Sequence, residues 1–174
     1  MNIGKKIIEA AVKVLEGRKE LIRFALTQRG RKFEGWFKVE LAYKLTEIST
    51  YDVKLEKKYR EYRGRTDIFL STGEYGCYLE IKFCDTGGNN IKGVLKDIER
   101  VRNINEPDIG FVLMVVLPPK RRTPKSLDDV IDRVNKWKTG KLLQVNELSE
   151  EFFIEDIGIA LFLFGPYQSG KILK

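Results

Sequence analysis

The chain has 174 residues, 32 of them Lys or Arg and 25 Asp or Glu, which leaves +7 at neutral pH, and it has no histidine. The length suits a single domain, 1–174, around one core, and 43% apolar with 11% aromatic content excludes a disordered chain. A His-based zinc site is excluded, two cysteines are too few for a Cys₄ site, and the basic balance favours a polyanionic partner.

Residues 3–15 place Ile7, Ile8, Ala11, Val12 and Leu15 at helical spacing. Gly17 breaks that run, and Leu21, Ile22, Ala25 and Leu26 mark a second helical stretch over 19–28. Segment 1–32 therefore reads as an N-terminal helical unit, closed by the basic stretch Gln28 to Lys32. A third helix is expected over 33–47. On its wheel Glu40 falls among Trp36, Phe37 and Tyr43. A carboxylate in an aromatic sector should be solvated, paired or metal-bound, because an unpaired buried charge is costly. Glu34 on the same helix competes for that role.

Residues 52–60 read as an edge strand running into the charged stretch Lys54 to Arg65. Two apolar runs follow, Ile68-Phe69-Leu70 and Cys77 to Phe83, joined by the turn-rich Ser71 to Gly76. They make a β-hairpin. Cys84 to Asn90 is a loop, with Gly87-Gly88 for the turn and Asn89 or Asn90 as helix cap. Ile91, Val94, Leu95, Ile98 and Val101 form an apolar helical stripe backed by Lys92, Lys96, Glu99 and Arg100. Ile109 to Leu117 is a continuous apolar run, as in a strand covered on both faces. Pro118 to Lys125 is a proline-rich loop carrying Lys120, Arg121, Arg122 and Lys125. A helix over 126–138, capped by Ser126, and a buried strand from Ile157 to Phe164 complete the C-terminal part, 118–174. The longest apolar runs are far short of the ~20 residues a membrane helix needs.

The chemistry concentrates in the hairpin. Side chains two apart on a strand share a face. Glu80 and Lys82 therefore point one way, while Leu79, Ile81 and Phe83 point into the core. On the partner strand Ile68 and Leu70 take the core side and leave Asp67 on the other. Two carboxylates about 4 Å apart repel by roughly 4 kcal/mol at an effective dielectric near 20. A hard cation with oxygen ligands relieves that repulsion directly, and carboxylates and carbonyls suit Mg, Mn or Ca.

The segment RTDIFLSTGEYGCYLEIKF, Arg65 to Phe83, resembles the core motif of the PD-(D/E)xK nuclease superfamily. Asp67 matches the aspartate and Glu80-Ile81-Lys82 the (D/E)xK triplet. The stretch from Glu34 to Leu45 looks like the helix that precedes the hairpin in these folds, and Glu40 would be its extra acidic residue. Ile91 to Arg100 looks like the helix that follows. No proline precedes Asp67, a frequent departure in the superfamily. The resemblance covers about 34–117, roughly half the chain, and makes 33–117 the nuclease-like core.

It implies a restriction-endonuclease-like α/β fold: a small mixed sheet of about four or five strands with helices on both faces. It also implies a divalent-metal-dependent deoxyribonuclease, with Mg²⁺ or Mn²⁺ as cofactor. Asp67, Glu80, the Ile81 carbonyl and Glu40 would hold the metal, and Lys82 would orient water or stabilise charge at phosphorus. Lys92, Lys96, Arg100, Lys120, Arg121, Arg122 and Lys125 would hold the nucleic-acid backbone, DNA in the first place.

Blander readings stand beside each of these. Asp67, Glu80 and Lys82 can form a cross-strand salt bridge, and the basic loop can be a solvated charge run. The whole chain can be a non-catalytic nucleic-acid-binding module or an assembly subunit, and a homodimer stays open. Cys77 and Cys84 read as free thiols of a reducing cytosol. With no signal peptide visible in the first residues, a cytoplasmic location and no membrane partner are expected.

Overall fold

The computed structural model describes residues 3–27, 33–59, 63–85, 90–117, 132, 136, 148–154, 157–168 and 171–172. Four helices are found in this part of the chain: α1 (Ile3–Glu16), α2 (Lys19–Thr27), α3 (Phe33–Ile48) and α4 (Ile91–Val101). The strands are β1 (Asp52–Leu55), β2 (Ile68–Ser71), β3 (Gly76–Asp85), β4 (Ile109–Leu117), β5 (Leu148–Ile154), β6 (Ile159–Gln168) and β7 (Lys171–Ile172). One mixed sheet runs β1-β2-β3-β4-β6-β5, and the two-residue β7 pairs with β6. Among the described strands only β3 and β4 are parallel, and α4 is the crossover between them. A parallel pair needs such a connection, because a tight turn cannot reverse the chain twice.

All nine residues of β4 are buried, as its unbroken apolar run requires. On one face of the sheet, Leu79, Ile81, Phe83, Leu113 and Leu161 pack with residues of α1, α2 and α3. On the other, Tyr78, Cys84, Val112, Met114 and Phe162 pack with Ile91, Val94, Ile98 and Val101 of α4. The expected α/β class with helices on both faces is therefore found.

The strand count is higher than the four or five expected. Among the described residues there are seven, because β5 and the short β7 were not anticipated. The β5 edge carries Glu150 and Glu151 and leaves Phe152 exposed, so its sequence lacks the alternation that marks a half-buried strand. In the other direction, β1 stops at Leu55 instead of continuing to residue 60. Glu56 adopts a left-handed backbone (φ 50°), which ends the regular strand, and an isolated Lys58–Arg65 bridge follows, with backbone hydrogen bonds such as that from the Thr66 amide to the Lys57 carbonyl. The helix expected over 126–138 lies outside the described residues, except for Asp132 and Lys136, which are helical.

Two contacts set where the hairpin sits. The Gly76 amide, at the start of β3, donates to Asp108 Oδ1 at 2.6 Å, so the residue before β4 holds the register of the parallel pair. A Cβ at Gly76 would lie 2.6 Å from the Phe69 ring, which explains the glycine. Cys77 and Cys84 are both buried. They lie in the packing of opposite faces of the sheet, as an odd spacing along one strand dictates, so they do not face each other.

Candidate functional site

Strand β2 begins at Ile68, opposite Leu79, whereas β3 runs on to Asp85. Beyond Leu79 the ladder is continued by side chains. The buried Thr66 hydroxyl donates to the Leu79 carbonyl at 2.9 Å, and Asp67 Oδ2 accepts the Ile81 amide at 2.7 Å. Within one extended residue the N–H and C=O point to the same strand edge. The Ile81 carbonyl therefore faces the edge on which the Asp67 carboxylate lies.

Glu80 and Lys82 share the face of β3 covered by α4, which agrees with their expected alternation. Glu80 is only 3% exposed, so this face is interior and not solvated. Its Oε1 accepts the Tyr59 hydroxyl and lies 3.2 Å from Arg100 Nη1. Tyr59 is held by stacking on Tyr78, ring centroids 5.0 Å apart. Burial pushes the Glu80 carboxyl up to about 7. The Tyr59 hydrogen bond and Arg100 work against that rise, and the charges of Asp67 and Asp97 add to it.

Lys82 Nζ lies 3.2 Å from Oδ2 of Asp97, a buried carboxylate one turn before Arg100. Arg100 Nη1 also lies 3.3 Å from Asp97 Oδ1, so Arg100 bridges Glu80 and Asp97. Gly93, one turn earlier on the same helix face, leaves room for the Lys82 stem, whose Cε would lie 3.5 Å from a Cβ there. Burial raises the Asp97 carboxyl above its ordinary value even though Lys82 and Arg100 pull it down.

From the other side of the sheet, α3 brings Lys38, whose Nζ is 2.6 Å from Asp67 Oδ1 and 3.3 Å from Glu34 Oε1. Burial pulls the Lys38 ammonium down, but Asp67 beside it prevails and holds it above its ordinary value. Glu34, not Glu40, is the helix carboxylate linked to Asp67, through Lys38. Glu40 lies about 200° around the helix from Lys38 at 3.6 residues per turn. Neither Lys38 on Asp67 nor Arg100 on Glu80 is paired with it among the described residues. The aromatic sector that singled it out is partly solvent: Tyr43 is 61% exposed.

Lys92 and Lys96 are exposed on α4. Arg100, expected on that outer stripe, turns inward to Glu80 and Asp97 instead. Lys120, Arg121, Arg122 and Lys125 lie outside the described residues. Sequence reasoning missed Lys38, Tyr59 and Asp97. Asp97 carried a usable signal, since it stands three residues after Val94 and four before Val101 on an otherwise apolar stripe.

Among the described residues, no group of three or more His, Cys, Asp or Glu side chains is gathered for a metal. Asp67, Glu80 and the Ile81 carbonyl offer oxygen atoms only. Such a set suits Mg²⁺, which keeps several waters and is held by one or two carboxylates plus substrate phosphates. It does not suit a structural zinc, which needs four protein ligands. Compared with family models, curated proteins and solved structures, the chain matches none of them.

Proposed function

We propose that the protein is a divalent-metal-dependent nuclease that hydrolyses phosphodiester bonds, with DNA as the first substrate to test. The observation that carries this reading is the buried Glu80, two residues from Lys82 on one strand and one from Ile81, whose amide binds Asp67, so that the Asp67 charge acts on it. Even with Tyr59 and Arg100 on it, the Glu80 carboxyl is raised by burial and by the charges of Asp67 and Asp97, so it stabilises the fold little. A dication between Asp67 and Glu80 gives that arrangement a purpose. Glu34 replaces Glu40 as the helix acid on the rim of this site.

Each side chain then has a defined task. Asp67 and Glu80, with the Ile81 carbonyl, would hold Mg²⁺ or Mn²⁺. The chemistry such an ion supplies when bound is charge neutralisation at the phosphate and a lowered pKa for its water. Tyr59 holds the Glu80 carboxylate by a hydrogen bond, and Asp97 on α4 fixes the Lys82 ammonium beside the same helix face. Lys82 donates hydrogen bonds to the charge that develops on the phosphoryl oxygens. Lys92 and Lys96 would contact the backbone of the nucleic acid without reading its sequence.

A second reading has its own support. Each acid is paired with a cation, as in a purely structural ion-pair network on a nucleic-acid-binding module. Incubation with duplex, single-stranded and branched DNA, and with RNA, in Mg²⁺ or Mn²⁺ separates the two. The nuclease cuts at least one of these, stops in EDTA, and loses most of its rate in Lys82→Ala while still binding the metal. Binding without cutting under every condition selects the module instead.

A further inference from the structure

Around the hairpin the carboxylates of Asp67, Glu80 and Asp97 are matched by Lys38, Lys82 and Arg100, with Glu34 at the rim. Counting Glu34, the acids exceed the bases by one charge. Two of the bases reach the proposed metal ligands from opposite sides of the sheet. Lys38 comes from α3 onto Asp67, and Arg100 comes from α4 onto Glu80. Both side chains remain open to solvent, at 21% and 38% exposure.

We propose that Lys38 and Arg100 form a phosphate-binding pair that the divalent cation unmasks. This rests on the metal site assigned to Asp67 and Glu80. Without the ion, these two cations neutralise the ligand carboxylates. A dication on the same oxygens takes over that neutralisation and repels the ammonium and guanidinium beside it. With Glu34 counted, the local charge then changes from about −1 to about +1, in a partly buried place where screening is weak. A phosphodiester is the anion that answers it. The Arg100 guanidinium offers a planar fork to two phosphoryl oxygens, and Lys38 supplies a compact charge on the far side. The cation and the phosphate therefore bind with positive coupling, and each raises the affinity of the other by the same factor.

The test is calorimetric titration of the intact chain with Mg²⁺, and of a deoxydinucleotide with and without saturating Mg²⁺. In the native protein the ion should tighten the dinucleotide by roughly 5–150-fold. Arg100→Gln and Lys38→Gln should each lose most of that gain and still bind Mg²⁺. Lys38→Gln should bind Mg²⁺ more tightly than the native chain, since no ammonium then competes for Asp67. A structural Lys38 would give the opposite sign. If Arg100→Gln does not fold, Arg100→Lys keeps the charge without the fork and should show an intermediate gain. Native coupling in all these variants overturns the inference, as does weaker Mg²⁺ binding in Lys38→Gln. Absence of Mg²⁺ binding by the native chain removes the metal site as well, whereas Mg²⁺ binding without coupling removes this inference alone.

Discussion

The two faces of β3 differ in chemistry although they alternate residue by residue. Leu79, Ile81 and Phe83 enter an apolar core under α1 and α3. Glu80 and Lys82 lie beneath α4 in a network with Asp97, Arg100 and Tyr59. The first face holds the fold together through area removed from water, about 1.5–3 kcal/mol for each large aliphatic side chain. The second works against it, because burial raises both Glu80 and Asp97 above their ordinary values despite the bases beside them. The contrast fits the function proposed above, in which the charged face would serve chemistry while the apolar face serves stability.

The largest effect should come from breaking the apolar face. Leu79 is fully buried, and Leu79→Ala should lower unfolding free energy by about 2–5 kcal/mol, measured by urea denaturation. A loss below about 1 kcal/mol would place the stabilising contacts elsewhere.

The charged face should behave in reverse, and the sign follows from Glu80. Its carboxyl titrates near 4.5 in the unfolded chain and is raised to about 7 in the fold. Between those values the folded state holds more protons than the unfolded one, so stability falls as pH rises from about 4.5 to about 7. The drop should be roughly 2–3 kcal/mol. Glu80→Gln should flatten this slope and be more stable than the native chain at pH 8 in EDTA. Mg²⁺ should bind more tightly as pH rises through about 7, with proton release, because only the ionised carboxyl is a ligand. A native chain whose stability rises from pH 5 to 8 would show that Glu80 is not held in this environment.

Much of this was legible in the sequence because periodicity carries it. The stripe from Ile91 to Val101 and the unbroken run of β4 each have one geometric solution, and the elements formed where expected. The hairpin alternation likewise placed Glu80 and Lys82 on one face. What periodicity does not encode is which distant element covers that face. Arg100 reads as an outward cation on its own helix, yet the buried Glu80 opposite draws it in. Tyr59 lies in a charged stretch with no period, and its stacking on Tyr78 and its amide hydrogen bond to the Gly64 carbonyl help bring it to Glu80. Glu40 was favoured by its neighbours on the wheel, but an aromatic sector need not face the core, and here Tyr43 is exposed.

Smaller in expected size than either face is the clamp at the start of β3. Asp108 is buried and accepts the Gly76 amide. Asp108→Ala leaves that buried N–H unpaired and should cost about 1–3 kcal/mol. It lies away from the charged network, so Mg²⁺ affinity should hold in the folded protein. A matching loss of Mg²⁺ binding would mean that the register of β3 on β4, and not the local side chains, sets the site.

The smallest effect tests whether the α4 face is tuned for the lysine it covers. Gly93 is helical and carries the Lys82 stem across its surface, with Lys82 Cε, Cδ and Cγ at 3.5–3.8 Å from where a Cβ would stand. Those are ordinary van der Waals distances, so alanine fits without moving Lys82. Helix propensity then favours Gly93→Ala by up to about 1 kcal/mol, less near a helix start than in its interior. The added methyl also packs on the stem and narrows the positions open to the ammonium. Gly93→Ala should therefore raise the thermal midpoint slightly and leave Mg²⁺ affinity unchanged. A fall in stability would show that the helix and strand approach more closely than these distances allow. In that event the pairing of Lys82 with Asp97 would be held by backbone contact between α4 and β3, with the charges following.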